Sequence, residues 1–403
     1  MTAVLRGFPV ATAARALLVT GAEMAQVAVA YEIYQHTKDP LSLGLLGLAQ
    51  FLPVLLFAVP AGQVGDRFPR HATALIMLSG LTIAMFGILL IDRRDLTLVY
   101  GLMFVIGTLR AFLGPAWAAL LASLIPAHSV ARYSAINSML FCIAAIAGPS
   151  IGGVLLAAIS ADFVYLVSAM LVGVAVLLTA LVQAPRTEAG EKARLSFATA
   201  LDGLRFVWGQ PVLFSAIAMD FVAVFLGGIT ALLPIFAVDV LHVGAAGLGV
   251  LRAAPSVGAG VLGLWLTLRP LRRRTGLTLM VCVAIFGGAT IVFGLSTSFP
   301  LSLAMLAVLG AADMVSVVVR SALLQVLVPS EWRGRVSAVN GVFIGASNEL
   351  GEMESGVAAR LIGPVAAVVA GGVGTVVVVV VVFLAVPALW RIDSLEDLPR
   401  PDG

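Results

Sequence analysis

An all-α membrane protein with twelve transmembrane helices is the fold class this chain predicts, on three observations. Of its 403 residues, 61% are hydrophobic and only 11% are charged, where soluble domains run to about half apolar and a quarter charged. The apolar residues gather into runs of about 20, the length that crosses a bilayer core. The basic residues collect in alternate connections between those runs. This pattern excludes a soluble enzyme, a disordered chain and a nucleic-acid-binding domain. The net charge of +3 says little by itself, because in a membrane protein the position of the positive charges carries the information.

The twelve runs cover 9–34, 41–63, 73–91, 96–125, 134–158, 162–183, 211–238, 244–268, 275–296, 300–328, 337–361 and 365–389. A strand barrel would show segments of about ten residues with alternating polarity, and that alternation is absent. The first run is no cleavable signal: only Arg6 precedes it, it is too long, and it carries Arg15, Glu23 and Gln26. Cys142 and Cys282 lie inside apolar runs with no CxxC or Cys/His cluster beside them, so they read as small buried hydrophobes.

Orientation follows from Lys and Arg. With the N-terminus inside, sixteen fall in cytoplasmic segments: Arg6, Arg67, Arg70, Arg132, Arg186, Lys192, Arg194, Arg205, Arg269, Arg272, Arg273, Arg274, Arg333, Arg335, Arg391 and Arg400. Four fall outside (Lys38, Arg93, Arg94 and Arg360) and four within spans (Arg15, Arg110, Arg252 and Arg320), which accounts for all 24. The bias places both termini in the cytoplasm.

The longest polar connection separates two groups of six. Residues 1–183 are expected to form an N-terminal six-helix bundle, 184–210 a cytoplasmic linker, and 211–403 a C-terminal six-helix bundle with a short cytoplasmic tail. Within the linker, Phe197, Leu201, Leu204 and Trp208 recur at helical spacing. They fit a short amphipathic helix at the inner surface; a passive linker is the other reading. A shift of 203 residues carries Pro126 onto Pro329, Arg132 onto Arg335, Ser134 onto Ser337 and Asn137 onto Asn340. The same shift carries Gly148 onto Gly351, Gly153 onto Gly356 and Gly44 onto Gly247. Two copies of one six-helix unit in the same orientation imply a pseudo-two-fold axis along the membrane normal, with a binding cavity between the halves.

Four stretches carry chemistry. After the second run comes Gly62-Gln63-Val64-Gly65-Asp66-Arg67-Phe68-Pro69-Arg70, a tight helix exit with a carboxylate beside two guanidiniums. Such a latch can engage helix ends in one conformation and release them in another. The fourth run holds Ile106-Gly107-Thr108-Leu109-Arg110, with Arg110 near mid-depth. An unpaired cation there costs at least about 2.5 kcal/mol, so it must face water or a carboxylate. The fifth run holds Gly148-Pro149-Ser150-Ile151-Gly152-Gly153, where glycines permit close helix approach and Pro149 bends the helix. The eleventh run reads Asn348-Glu349-Leu350-Gly351-Glu352-Met353-Glu354. Glu349 and Glu352 share a helix face and Glu354 points elsewhere.

These stretches resemble the motifs of the major facilitator superfamily. Gly62, Asp66, Arg67 and Arg70 match its G-x-x-x-D-R-x-G-R loop, with Pro69 in place of the usual glycine and His71 of the usual lysine. The Arg110 stretch resembles the family's intramembrane arginine motif. GPxxGG (Gly148, Pro149, Gly152 and Gly153) resembles the antiporter motif of drug/proton exporters. N-E-L-G-E resembles the branch containing bacterial enterobactin exporters. The resemblance covers essentially the whole chain. It implies a secondary active transporter of the bacterial cytoplasmic (inner) membrane that uses no ATP.

The expected activity is proton-coupled efflux of a small organic molecule, a drug or siderophore-like compound, by alternating access. Glu23, Asp313, Glu349 and Glu352 are candidate protonation or substrate sites, with Arg110 the charge coupled to them. A carboxylate in a partly dry cavity takes up a proton more readily than in water. Asp313 is the repeat counterpart of Arg110, and Asp220, Arg252 and Arg320 are further charges inside spans. Asp220 fits either a gate residue or a helix-end ion pair. The expected partners are the substrate, protons and the lipid bilayer, with no nucleic acid, and one chain suffices as a monomer. No catalytic residue, cofactor or metal site is expected; His36, His71, His128 and His242 all fall at loops or span ends. An uptake symporter or a lipid flippase of the same fold, and a non-transporting receptor, are the alternatives.

Overall fold

A computed structural model describes residues 2–125, 130–182, 197–269 and 273–393. Its long helices are α1 (Thr2–Thr37), α2 (Pro40–Arg67), α3 (Arg70–Gly87), α4 (Leu96–Leu124), α5 (Val130–Ala158) and α6 (Ala161–Ala180). Then follow α7 (Phe197–Trp208), α8 (Pro211–Leu226), α9 (Ile229–Ile235) with a π-helical turn (Phe236–Val240), α10 (Gly244–Leu268) and α11 (Thr275–Leu295). The last are α12 (Phe299–Leu327), α13 (Ser330–Ile362), α14 (Pro364–Ala385) and the short α15 (Pro387–Trp390). Among the described residues there is no strand.

Local chemistry sets the ends of these helices. Asp95 caps α4 by accepting the Thr97 N–H at 2.9 Å, and Ser160 caps α6 by accepting the Phe163 N–H at 3.2 Å. Prolines open α8 and α14, where the first turn has no use for an N–H. Among the described residues, eleven spans are long and apolar enough to cross a membrane. The twelfth, α13, runs for 33 residues, about 50 Å of helix. Glu349, Glu352 and Glu354 keep it from passing on apolarity alone.

One span departs from the expectation of a single run over 211–238. The helix stops at Leu226, breaks at Gly227 and Gly228, resumes as α9 and ends in the π turn. The break is packed against protein: Gly228 lies on the carbonyl of Gly351 in α13, and Gly371 of α14 lies on that of Leu226. Irregular backbone at membrane depth is tolerated where protein buries it. Apolarity continues through the break, so hydropathy does not register it.

The short helix of the linker spans Phe197–Trp208. Helix α7 is present, but Val207 is its buried residue. Gly203 rests on the Arg335 backbone, and Phe206 stacks on Trp332 at 5.5 Å. Trp208 is exposed and meets Phe214 at 4.9 Å. The packed side is thus turned from the Leu204/Trp208 stripe; the Phe197 and Leu201 side chains and residues 183–196 lie outside the described residues.

The chain forms two compact units. Unit 1 comprises Met1–Lys38, Leu48–Leu195 and Val243–Ala253; unit 2 comprises Asp39–Gly47, Ser196–His242 and Ala254–Gly403. In unit 1, α1 packs against α4, α5 and α6, and α3 against α4 and α6. In unit 2, α11 packs against α12 and α14, while α8 packs against α12, α13 and α14. The unit 2 core gathers Leu213, Met219, Leu279, Val283, Val319 and Leu323. Large apolar side chains such as Ile83, Leu90, Leu177, Leu268 and Leu384 point outward, as hydrocarbon contact requires.

Each unit contains one helix tip held by glycines. In unit 1 the tip of α10 lies on α5, where a methyl group on Gly153 would sit 2.6 Å from the Ala245 carbonyl oxygen and 2.7 Å from Gly249 Cα. In unit 2 the tip of α2 lies on α13, where a methyl group on Gly356 would sit 2.9 Å from Gly44 Cα. Gly153 and Gly356 are mates in the 203-residue repeat, so the repeat extends to packing. Without a hydrophobic force between helices in lipid, such close van der Waals contact is the main source of association.

One end of unit 1 is tied by a charged network. Arg93 bridges Glu32 (3.2 Å) and Asp162, and the Tyr165 hydroxyl donates to the same Glu32 oxygen at 2.6 Å. Burial works against the charge on Arg93, but the Glu32 and Asp162 carboxylates outweigh it and raise its pKa above the ordinary guanidinium value. Arg93→Met should lower the thermal midpoint of the detergent-solubilised protein by about 2–4 °C, the shift of a loss near 1 kcal/mol in a unit of this size. Arg94→Met, at an exposed neighbour, should leave it unchanged; equal midpoints for both variants would remove Arg93 from this role.

Candidate functional site

A cavity of about 380 Å³ lies in unit 1. Residues 15, 18, 22, 26 and 29 of α1 face it, as do 103, 106, 110, 113 and 117 of α4. Spacings of three and four place each set on one helix face. Most of the wall is apolar, with Leu18, Met85, Ile106 and Leu113 among the lining residues. Arg15, Glu23, Gln26, Gln50 and Arg110 supply its polar groups, and Trp117 adds an indole.

The polar groups form short chains. Arg110 Nη1 donates to Gln50 Oε1 at 3.4 Å, and Gln50 Nε2 donates to Gln26 Oε1 at 3.1 Å. This links α4, α2 and α1. The contact is close because Gly107, one turn before Arg110, lies directly on the Gln50 carbonyl. Arg15 Nη1 donates to Asn137 Oδ1 at 3.2 Å, with its guanidinium 5.5 Å from the centre of the Phe141 ring. Glu23 meets Arg252 at 3.6 Å. The glycines of GPxxGG position this turn of α1. A methyl group on Gly148 would sit 2.7 Å from Glu23 Cβ, and one on Gly152 would sit 2.9 Å from Met24 Cα. The carbonyl of Pro149 lies on Gly249.

Unit 2 holds a second set of charges. Asp220 of α8 pairs with Arg320 of α12 at 2.8 Å and accepts the Ser316 hydroxyl at 2.9 Å. Asp220 is 4% exposed and Arg320 5%, so the two form a buried ion pair between α8 and α12. Arg320 Nε is buried with no acceptor among the described residues. Asp313, Ser316 and Arg320 share a face of α12, and Asp313 borders the same narrow void as Asp220, a space of only about 10 Å³.

Glu349 and Glu352 are half-buried on α13. Glu352 packs on Gly47 in the α2 tip, where its Oε2 is 2.6 Å from the place a methyl group would take. Gly351, the residue before it, faces the other way onto Phe225 of α8. Glu354 accepts the Ser355 hydroxyl at 3.4 Å.

The loop after α2 is a two-residue turn at Phe68 and Pro69, with Pro69 opening α3 and Arg70 its first residue. His71 bonds the Thr179 carbonyl at 2.8 Å. Gly62 belongs to the last turns of α2. The side chains of Asp66 and Arg67 lie outside the described residues.

Of the expected site residues, the structure thus puts Glu23 and Arg110 in one cavity and Asp313 beside Asp220. Arg15, Gln26, Gln50 and Trp117 line the cavity without having been singled out. Gln26 and Gln50 carry a readable signal, since an amide inside an apolar span is costly unless it faces a partner or water. Trp117 carries none.

Long membrane-crossing helices around a cavity with a few placed charges define a multi-pass membrane transporter rather than an enzyme. Residues 12–351 match the sequence profile of the Major Facilitator Superfamily, and the chain belongs to that superfamily. It is 26% identical over 345 residues to the multidrug efflux pump Tap of Mycolicibacterium fortuitum, covering 82% of this chain and 83% of that one. It is 25% identical over 398 residues to the enterobactin exporter EntS of Citrobacter koseri, covering 97% and 94%. The fold is that of a point mutant of the nucleoside transporter NupG (TM-score 0.74, 13% identity, 95% and 99% covered). It is also that of a bacterial homolog of the human lysosomal transporter Spinster (TM-score 0.72, 16% identity, 98% and 99% covered).

The buried pair of unit 2 makes a direct prediction. Arg320→Met leaves Asp220 uncompensated and should cost about 3–5 kcal/mol, whereas Asp220→Leu/Arg320→Met together should recover most of it. Thermal unfolding in detergent reads both; an Arg320→Met protein as stable as the parent would show the pair contributes nothing.

Proposed function

We propose that this transporter exports a small organic molecule in exchange for protons. It works by alternating access as a monomer in the bacterial cytoplasmic membrane, with both termini in the cytoplasm. The observation that carries the reading is the unit 1 cavity, where an apolar wall encloses Glu23, Arg110 and a chain of amides. An apolar pocket with a few convergent polar groups is the usual form of a small-molecule site. The names of the relatives, a multidrug efflux pump and an enterobactin exporter, support export and a drug or siderophore-like cargo. The resemblance of the GPxxGG stretch to the antiporter motif of drug/proton exporters supports the same direction, and its glycines hold α5 against the turn that carries Glu23.

Glu23, Asp313, Glu349 and Glu352 are the proposed proton or substrate sites, with Arg110 coupled to them. Protonation removes a charge whose cost depends on its surroundings, so it favours one conformation over another. Substrate favours the other. Gly62, Asp66, Arg67 and Arg70 form the proposed latch, and Gly148, Pro149, Gly152 and Gly153 the bend that accompanies exchange.

Proteoliposomes loaded with a pH-sensitive dye and given fluorescein, rhodamine 123 or ethidium under a pH gradient test this. Wild-type protein should move at least one probe against its gradient, with proton flow in the opposite sense. Glu349→Gln and Asp313→Asn should each cut that flux about tenfold or more, as for loss of an intramembrane relay group. Normal transport by both variants would sink the assignment, and proton and probe moving in the same sense would make the protein a symporter.

A further inference from the structure

We propose that the unit 1 cavity takes an amphipathic organic anion. This deepens the export reading by naming its substrate class, and rests on that reading only for the direction of transport. Two guanidiniums reach the wall with no ion pair to a carboxylate among the described residues of unit 1. Arg15 donates to the neutral amide of Asn137 at 3.2 Å, and Arg110 to that of Gln50 at 3.4 Å. Glu23, the one carboxylate in the lining, is already met by Arg252 at 3.6 Å.

The other described carboxylates of unit 1 are engaged elsewhere. Glu32 and Asp162 hold Arg93, while Asp92 and Asp95 accept backbone N–H groups of the connection before α4. The lining therefore carries two positive charges that no described carboxylate of its own unit pairs with.

A guanidinium presents parallel N–H groups that match a carboxylate, sulfonate or phosphate, and it holds its charge at any physiological pH. The amides of Asn137 and Gln50 keep each fork oriented without cancelling its charge. The apolar remainder suits the hydrocarbon body of a ligand. An organic cation of the same shape would meet like charge in a mostly apolar wall, which is rejection by repulsion rather than by size.

The test uses the full-length protein in lipid nanodiscs with no proton gradient. It is titrated with fluorescein, an anion, and with rhodamine 123, a cation on the same xanthene frame, and binding is read by fluorescence anisotropy. Fluorescein should bind about tenfold or more tightly than rhodamine 123. Arg15→Gln and Arg110→Gln should each weaken fluorescein about tenfold, the loss of one charge-assisted contact, and leave rhodamine 123 unchanged or tighter. Arg15→Lys and Arg110→Lys, which keep charge but lose the fork, should fall between.

Rhodamine 123 binding as tightly as fluorescein, binding of neither dye, or unchanged fluorescein affinity in both folded Gln variants would each overturn the proposal. Should a Gln variant not fold, competition on the wild type decides. 2-Naphthalenesulfonate should displace fluorescein and 2-naphthylmethylammonium should not; the reverse order overturns it. Intact, charge-selective binding without pH-driven export would support this assignment and count against the export reading alone.

Discussion

Hydrocarbon offers no hydrogen-bond partner and almost no solvation for charge, and the rest of this structure depends on that constraint. Every backbone donor and acceptor at membrane depth must be satisfied by the protein. Hence the described chain is helix almost throughout. Where the helix does break, at Gly227 and Gly228, the freed backbone lies against Gly351 of α13. The same constraint makes helix contact depend on small residues, because apolar side chains gain little by leaving lipid for one another. The approach of α10 to α5 and of α2 to α13 through paired glycines meets that demand.

Charge obeys the rule in three graded ways. At the end of unit 1, Arg93, Glu32 and Asp162 lie near the polar boundary and tie α1, α6 and the connection before α4 together. Deep in unit 2, Asp220, Ser316 and Arg320 satisfy one another in a space too small for a ligand. In the unit 1 cavity, Arg15 and Arg110 meet only amide oxygens and keep their charge facing a void. The first is a strut, the second a lock, and the third is an electrostatic demand placed on whatever enters. Only the third leaves its charge facing a space wide enough for a ligand.

The sequence made the spans legible because their signal is summed over about twenty residues. Ends marked by charge were legible as well, whereas the caps at Asp95 and Ser160 are seen only in the structure. The break in the seventh span was not, since Gly227-Gly228 sits among apolar neighbours and only the contact with Gly351 explains it. The packed side of α7 was not legible either: Val207 is chosen by what α13 offers, not by the periodicity of α7 itself. For the site, Glu23 and Arg110 were readable as costly charges. Asp313 was readable as a charge, but its place beside Asp220 and Ser316 depends on the meeting of α8 and α12, and no pattern within one helix encodes that. Gln26 and Gln50 were visible as amides in apolar runs, and Trp117 was hidden among ordinary wall residues.

The repeat explains why some positions stayed alike and others diverged. Gly107 lies on the carbonyl of Gln50 in unit 1, and its mate 203 residues on, Gly310, lies on the carbonyl of Pro255 in unit 2. A side chain at either place would collide with backbone, which cannot retreat. Three residues further along the same helix, the two copies carry opposite charges, Arg110 and Asp313. These positions border empty space rather than backbone, so the packing does not dictate the residue. Duplication therefore conserved the contacts that let helices touch and released the positions that face the voids. In one unit that freedom produced a cationic cavity wide enough for a ligand. In the other it produced a narrow carboxylate site locked beside an arginine. A duplicated scaffold with fixed glycines and free void-facing positions thus carries two unlike polar sites without disturbing the packing.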